Sequence, residues 1–314
     1  MSYRTFQNSR PGSGFEPMDF VVLGFLLALI AVVAAFSDRL PDSRTPLVAF
    51  ATAIVGYIAM VRMLFRLNPG PTVSLLIRSA GLYVVFPFVY MHFDMVVEFL
   101  NPFRAETTLM AIDRFMFMGT NPNAALQSLL TPWAVNILQV CYAVYYTVFM
   151  FALIMLPFRQ HQRFAAFLTS VALLFAASFT GYILVPARSP YVIAQLPEFS
   201  SIINLTQSVS GHPFVIGIRE AIHNASNFRF DCFPSGHTAG PVLVFLTLFS
   251  WRKSVALALA PFFAAIVFST LYLQYHYVID VIAGAAVAVG VFFLGRFLVE
   301  RFPFKTGSTR QVVQ

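Results

Sequence analysis

Eight stretches of this chain are apolar over roughly 17 to 25 residues each, the length that crosses the hydrocarbon core of a bilayer as a helix. They run from Met18 to Phe36, Pro46 to Phe65, Leu75 to Glu98, Trp133 to Leu156, Phe164 to Val185, Gly236 to Trp251, Ser254 to Leu273 and Tyr277 to Val299. A chain built this way is predicted to be an all-α integral membrane protein with about eight transmembrane helices. Composition agrees: 58% of the 314 residues are hydrophobic and 11% are charged, far from the balance of a soluble domain. The first stretch also has features of a signal sequence, since Arg4 and Arg10 precede it and Val33-Ala34-Ala35 resembles a weak cleavage site. A retained helix is the preferred reading, because the run is long and its polar leader longer than usual.

The net charge of +7 would suit nucleic acid if it were clustered, but the arginines are scattered at the ends of apolar stretches. Membrane topology accounts for them and no nucleic-acid partner is expected. With the amino terminus inside, 13 of the 20 basic residues fall on the inner side, among them Arg62, Arg66, Arg252 and Lys253. The positive-inside rule then places both termini in the cytoplasm. Trp133 and Trp251 lie at helix ends, as interfacial anchors do.

This parity brings the polar interval from about 187 to 235 and the turn near Tyr275 to the same outer face. Three unusual segments meet there: VPARSP around Arg188, DCFPSGHTAG around His237, and YLQYHYVID with His276 and Asp280. Either histidine alone is explained equally well as a packed, hydrogen-bonded residue. His276 and Asp280, however, are spaced i, i+4, so on a helix they share a face and the carboxylate can hold the imidazole in one tautomer. The other reading of that pair is a structural ion pair between helices. An oriented imidazole is a nucleophile, a second imidazole exchanges a proton with a leaving or attacking oxygen, and an arginine clamps a phosphate. The PSG turn before His237 adds backbone N–H groups at a helix start, where an anion is favoured. Two histidines and an aspartate could also form a metal triad, but the spacing does not require one, and no metal is expected. Cys141 and Cys232 are too few and too differently placed for a disulfide framework.

Arg-x-Pro, then PSGHT, then His-x-x-x-Asp, in that order and on one face, resembles the type 2 phosphatidic acid phosphatase superfamily. The resemblance covers roughly the last two thirds of the chain. It implies two additional N-terminal helices in residues 1–70, a six-helix catalytic membrane domain in 71–300 and a cytoplasmic tail in 301–314. It also implies roles: His276 as the nucleophile that becomes a phosphohistidine, Asp280 as its orienting group, and His237 as the acid and base. Arg188, Ser235 and the Gly236 amide would hold the phosphoryl oxygens. No metal or organic cofactor is implied.

Two cations of the family pattern are missing. Thr270 stands where an arginine would precede the nucleophile by six residues, and Gly181 where a lysine would precede Arg188 by seven. A phosphomonoester approaches two negative charges and a diester carries one, so fewer cations suit a diester. Arg219 or Arg229 could fold in as a substitute. The segments DRFMFMGTNPNAAL, CYAVYY, CFPSGHT and QYHYVIDVIAG are similar to the inositol phosphorylceramide synthase branch, and His276-Tyr277 resembles sphingomyelin synthases. The resemblance therefore implies transfer of a phosphorylated head group from a phospholipid donor to a ceramide or diacylglycerol hydroxyl.

From the residues themselves, Asp113 and Gly119 read as an interfacial helix ending in a Gly-Thr-Asn-Pro turn, and Tyr142, Tyr145 and Tyr146 as packing residues. Asp94 and Glu98, with His92, either take a polyol head group or are simply solvated. Arg229 and Tyr277 are further candidates for the substrate. The stretch from Pro213 to Asn227 reads as a short helix lying on the membrane over the site. Asn204 and Asn224 match glycosylation acceptors, a short pattern that recurs by chance. Two other functions stay open: a lipid phosphate phosphatase, and a proton-coupled transporter relaying through Asp280, His276 and His237.

Overall fold

A computed structural model describes residues 14–145, 148, 160–199, 210–225 and 230–303. Helices α1 (Pro17–Ala35), α2 (Arg44–Leu67) and α3 (Pro71–Met91) begin the bundle, followed by the short α4 (Asp94–Leu100), α5 (Glu106–Met116) and α6 (Pro122–Gln127). Next come α7 (Pro132–Ala143), α8 (His161–Leu184), the single turn α9 (Pro190–Ile193) and α10 (Pro213–Ala225). Helices α11 (Gly236–Trp251), α12 (Lys253–Tyr272) and α13 (Val278–Arg301) close the fold. Among the described residues the sole β feature is an isolated bridge between Ala187 and Asp231. The chain is an all-α integral membrane protein.

Six of these helices, α1, α2, α3, α8, α12 and α13, are each long and apolar enough to cross a bilayer. Of the other two expected spans, α11 has 16 residues, about 24 Å at the helical rise. The stretch from Trp133 to Leu156 is helical as α7 to Ala143, and most of its remainder lies outside the described residues. The third stretch is not one helix to Glu98: α3 stops at Met91 and α4 begins at Asp94. The last turn of α3 tightens, with His92 N bonded to Val89 O at 3.0 Å and Phe93 N to Tyr90 O at 3.2 Å, and the His92 ring turns back to Phe88 O at 2.8 Å. Shortened i, i−3 bonds of this kind end a helix.

Helix α8 is the most buried of the six spanning helices. Its most extensive partner is α13, and α1, α3 and α11 also pack on it. Small residues let these backbones approach: on α13, Gly295 lies against Ser170 and Ala166 of α8, where a Cβ would collide with both. Where they are described, the polar intervals hold short helices. The segment expected to form an interfacial helix with a turn is α5, followed by Gly119 at φ 91° and by α6, which Asn121 caps through the N–H groups of Asn123 and Ala124. The helix expected from Pro213 is α10; it packs on α7 and buries Val215 and Arg219 while exposing Phe214.

Candidate active site

The turn from α12 to α13 carries His276. Thr270 O, in the last turns of α12, accepts Tyr275 N at 2.8 Å and His276 N at 3.1 Å. Asp280, in the first turn of α13, accepts Tyr277 N through Oδ2 at 2.9 Å, so it caps its own helix. The same oxygen lies 3.4 Å from His276 Nδ1. Cys232 completes the cluster: its thiol donates to Asp280 Oδ2 at 2.9 Å and lies 3.5 Å from His276 Nδ1. Burial, with the Asp280 carboxylate beside it, pushes the Cys232 thiol well above its ordinary range, which keeps the S–H as a donor. The donor atoms of Cys232, His276 and Asp280 lie within 4.8 Å of one another, and these hydrogen bonds join them.

The PSGHT turn docks directly on this cluster. Ser235 N donates to Asp280 O at 3.1 Å, and Ser235 Oγ caps α11 by accepting Thr238 N at 3.2 Å. The approach is close enough that a Cβ at Gly284 would collide with the Ser235 carbonyl oxygen. Gly236 opens α11, with the Tyr182 and Tyr145 hydroxyls 3.5 and 3.6 Å from where a Cβ would stand. His237 is sandwiched between aromatic rings, Tyr142 at 4.0 Å and nearly parallel, Tyr145 at 4.1 Å. The two tyrosines read as packing residues thus pack on the second histidine; Tyr146 lies outside the described residues. The His237 and His276 ring centres are 6.2 Å apart.

Arg188 lies beyond the end of α8 and is drawn to the same place by the Ala187–Asp231 bridge, in which Cys232 N donates to Ala187 O at 3.2 Å. Its Nε and backbone N both donate to Glu106 Oε1, at 2.8 and 3.2 Å. Tyr277 is buried, and its hydroxyl donates to Arg188 O at 3.1 Å. Asp231 accepts from the Tyr90 hydroxyl at 2.7 Å, and burial raises its carboxyl above the usual range.

The missing cations have structural counterparts. No side chain fits at Gly181, whose Cβ direction is filled by Pro234 and the Phe233 carbonyl. Thr270 is buried, and its hydroxyl donates to Val267 O at 2.7 Å. Arg219 does fold in beside that turn: Nη1 donates to Leu273 O at 3.2 Å, and the guanidinium lies 4.0 Å from the Tyr191 ring centre and 4.7 Å from that of Tyr275. Arg229 and Asn204 lie outside the described residues, as do 304–314 of the expected tail. Asp94 opens α4, and Glu98 on the same helix is exposed, its carbonyl accepting from Arg104 Nη2 at 3.0 Å.

Four residues at this end escaped the sequence reading of the site: Cys232, Asp231, Glu106 and Asp113. Asp113 accepts Val278 N at 2.8 Å and Ile279 N at 2.9 Å, a cap on α13 supplied from another helix. The first two stand inside the quoted DCFPSGHTAG stretch, where only proximity to His276 reveals a use. Glu106 and Asp113 carry a fainter signal, as carboxylates on the same face as Leu109 and Met110.

Residues 107–294 match the PAP2 superfamily, and the chain belongs to it. It is also similar to a PA-phosphatase related-family protein of Dictyostelium discoideum, 30% identical over 139 residues. That match covers 43% of this chain and 24% of the relative's length. No solved structure matches.

Proposed function

We propose that the protein is a membrane enzyme that transfers a phosphoryl-bearing group of a lipid through a phosphohistidine on His276, with residues 71–300 as its catalytic part. The observation that carries this reading is the pair of imidazoles 6.2 Å apart, one held at Nδ1 by Asp280. An Asp280 carboxylate fixes the proton on Nδ1 and leaves Nε2 as the nucleophile. Reacting atoms need to approach to about 3–3.5 Å, and with their ring centres 6.2 Å apart both imidazoles are near enough to serve one phosphoryl group. As Nε2 forms its bond to phosphorus, the bond from phosphorus to the leaving oxygen breaks and His237 gives that oxygen a proton. In the second half an acceptor hydroxyl attacks the phosphorus, the bond from phosphorus to Nε2 breaks and frees His276, and His237 takes the proton of that hydroxyl. Arg188, held at Nε by Glu106, turns its other guanidinium edge to the phosphoryl oxygens; Ser235 and the Gly236 amide bind from the start of α11.

The finer reading is head-group transfer from a phospholipid diester to a lipid hydroxyl such as that of ceramide or diacylglycerol. The filled space at Gly181 and the neutral Thr270 support it, because both remove charge that a monoester dianion would use. Arg219 beside the α12–α13 turn favours a second reading, a phosphatase in which water is the acceptor. Purified protein is given labelled phosphatidylinositol with ceramide or diacylglycerol, and separately phosphatidic acid. The expected outcome is head-group transfer that disappears in His276→Ala. Free phosphate from phosphatidic acid without transfer selects the phosphatase, and unchanged turnover in His276→Ala combined with His237→Ala sinks the mechanism.

A further inference from the structure

Glu106 and Asp113 are seven residues apart on α5, two helical turns, so they lie on one face. Leu109 and Met110 lie between them, and all four are buried. A buried carboxylate is costly unless donors satisfy it, and here the donors come from the two arms of the site. Glu106 takes the Nε and backbone N of Arg188, and Asp113 takes the first free N–H groups of α13, two and three residues after His276. Arg188 and His276 come from distant parts of the chain, and no covalent link sets their separation. Helix α5 spans both, and the Tyr277 hydroxyl on Arg188 O ties the arms to each other. Glu106 is an expensive device if it only holds a loop, since its Oε2 is buried with no hydrogen-bond partner among the described residues.

We infer that Glu106 and Asp113 are positioning residues: a two-carboxylate bracket on α5 sets the phosphate-binding arginine at a fixed place relative to the nucleophilic histidine. Neither touches the substrate. Glu106 acts through the orientation of Arg188, and Asp113 through the register of the first turn of α13, whose positive N-terminal end a carboxylate complements. The inference rests on the roles proposed above for His276 and Arg188.

The test uses the full chain, with phosphatidic acid and with phosphatidylinositol plus ceramide, and melting temperatures recorded for every variant. Glu106→Gln is expected to lower kcat/KM on the order of 100-fold, the effect of misplacing a binding group by about an ångström. In an Arg188→Lys background, which has no guanidinium Nε to hold, the same change is expected to cost less than about threefold, the non-additivity of groups acting as a unit. Glu106→Asp, which keeps the charge, is expected to recover part of the loss. Asp113→Asn is expected to lower kcat about 10- to 100-fold with KM unchanged, because the nucleophile shifts while the binding groups stay. An equal cost of Glu106→Gln in both backgrounds, or wild-type kcat in Asp113→Asn, overturns the bracket. Activity retained by His276→Ala would overturn the underlying reading instead. An inactive His276→Ala beside fully active Glu106→Gln and Asp113→Asn would overturn the bracket alone.

Discussion

Asp231 opens the DCFPSGHTAG stretch, and its carboxyl, tied to the Tyr90 hydroxyl, titrates above its ordinary range. Between the unfolded value of about 3.9 and its own raised value, the folded protein keeps a proton that the unfolded chain has released. Stability therefore falls as pH rises through that window. Asp231→Asn cannot ionise, so the melting temperature of the variant minus that of the wild type is expected to grow as pH climbs from about 4. A thermal-shift series across pH checks this, and a difference that shrinks with pH refutes it. At this scale the sequence was only partly legible. His237, His276 and Asp280 stand out because polar groups are conspicuous among apolar ones, whereas Cys232 and Asp113 gain meaning only from an S–H 2.9 Å from Asp280 and two N–H groups at the start of α13.

Among the elements, α1, α2 and α3 are stitched together by one buried polar group. Arg78 of α3 pairs with Asp19 of α1 at 3.1 Å, and the Tyr57 hydroxyl of α2 donates to the same carboxylate at 2.9 Å. Arg78 also reaches Ser74 and donates to the Gly14 carbonyl at 2.6 Å. Removing one partner leaves an uncompensated buried charge, so Arg78→Met is expected to cost about 3–5 kcal/mol of stability. Asp19→Leu combined with Arg78→Met is expected to recover most of that loss, because nothing charged is then left unpaired. Unfolding of both proteins in the same detergent checks the pair, and a double variant as unstable as the single one refutes it. Helix existence was readable from apolar runs at this scale. The break after Met91 was not, since it arises from how the last turn of α3 tightens around His92.

For the whole molecule, the proposed orientation puts the site on the non-cytoplasmic face, periplasmic, extracellular or lumenal, with both termini in the cytoplasm. The charge bias behind it, 13 of 20 basic residues on the inner side, is a statement about loops and owes nothing to packing. Ser210 is exposed beside the α7–α10 contact. Ser210→Cys in a Cys141→Ala background is expected to react with a membrane-impermeant maleimide added to that face. Labelling only from the cytoplasmic side would reverse the topology.

Membrane residence, the helical class and the order of the polar motifs were determined by the sequence alone, because hydropathy and segment length act locally and the bilayer leaves the backbone few alternatives. Only the tertiary structure decided which groups meet. It brought Cys232 to Asp280, closed the space beside Gly181 with Pro234, docked Arg219 by the Leu273 carbonyl, and set Glu106 and Asp113 of α5 under Arg188 and the start of α13. Each of these is a contact between segments far apart in the chain, fixed by the packing of helices on one another, and such packing leaves no periodic trace in any one segment.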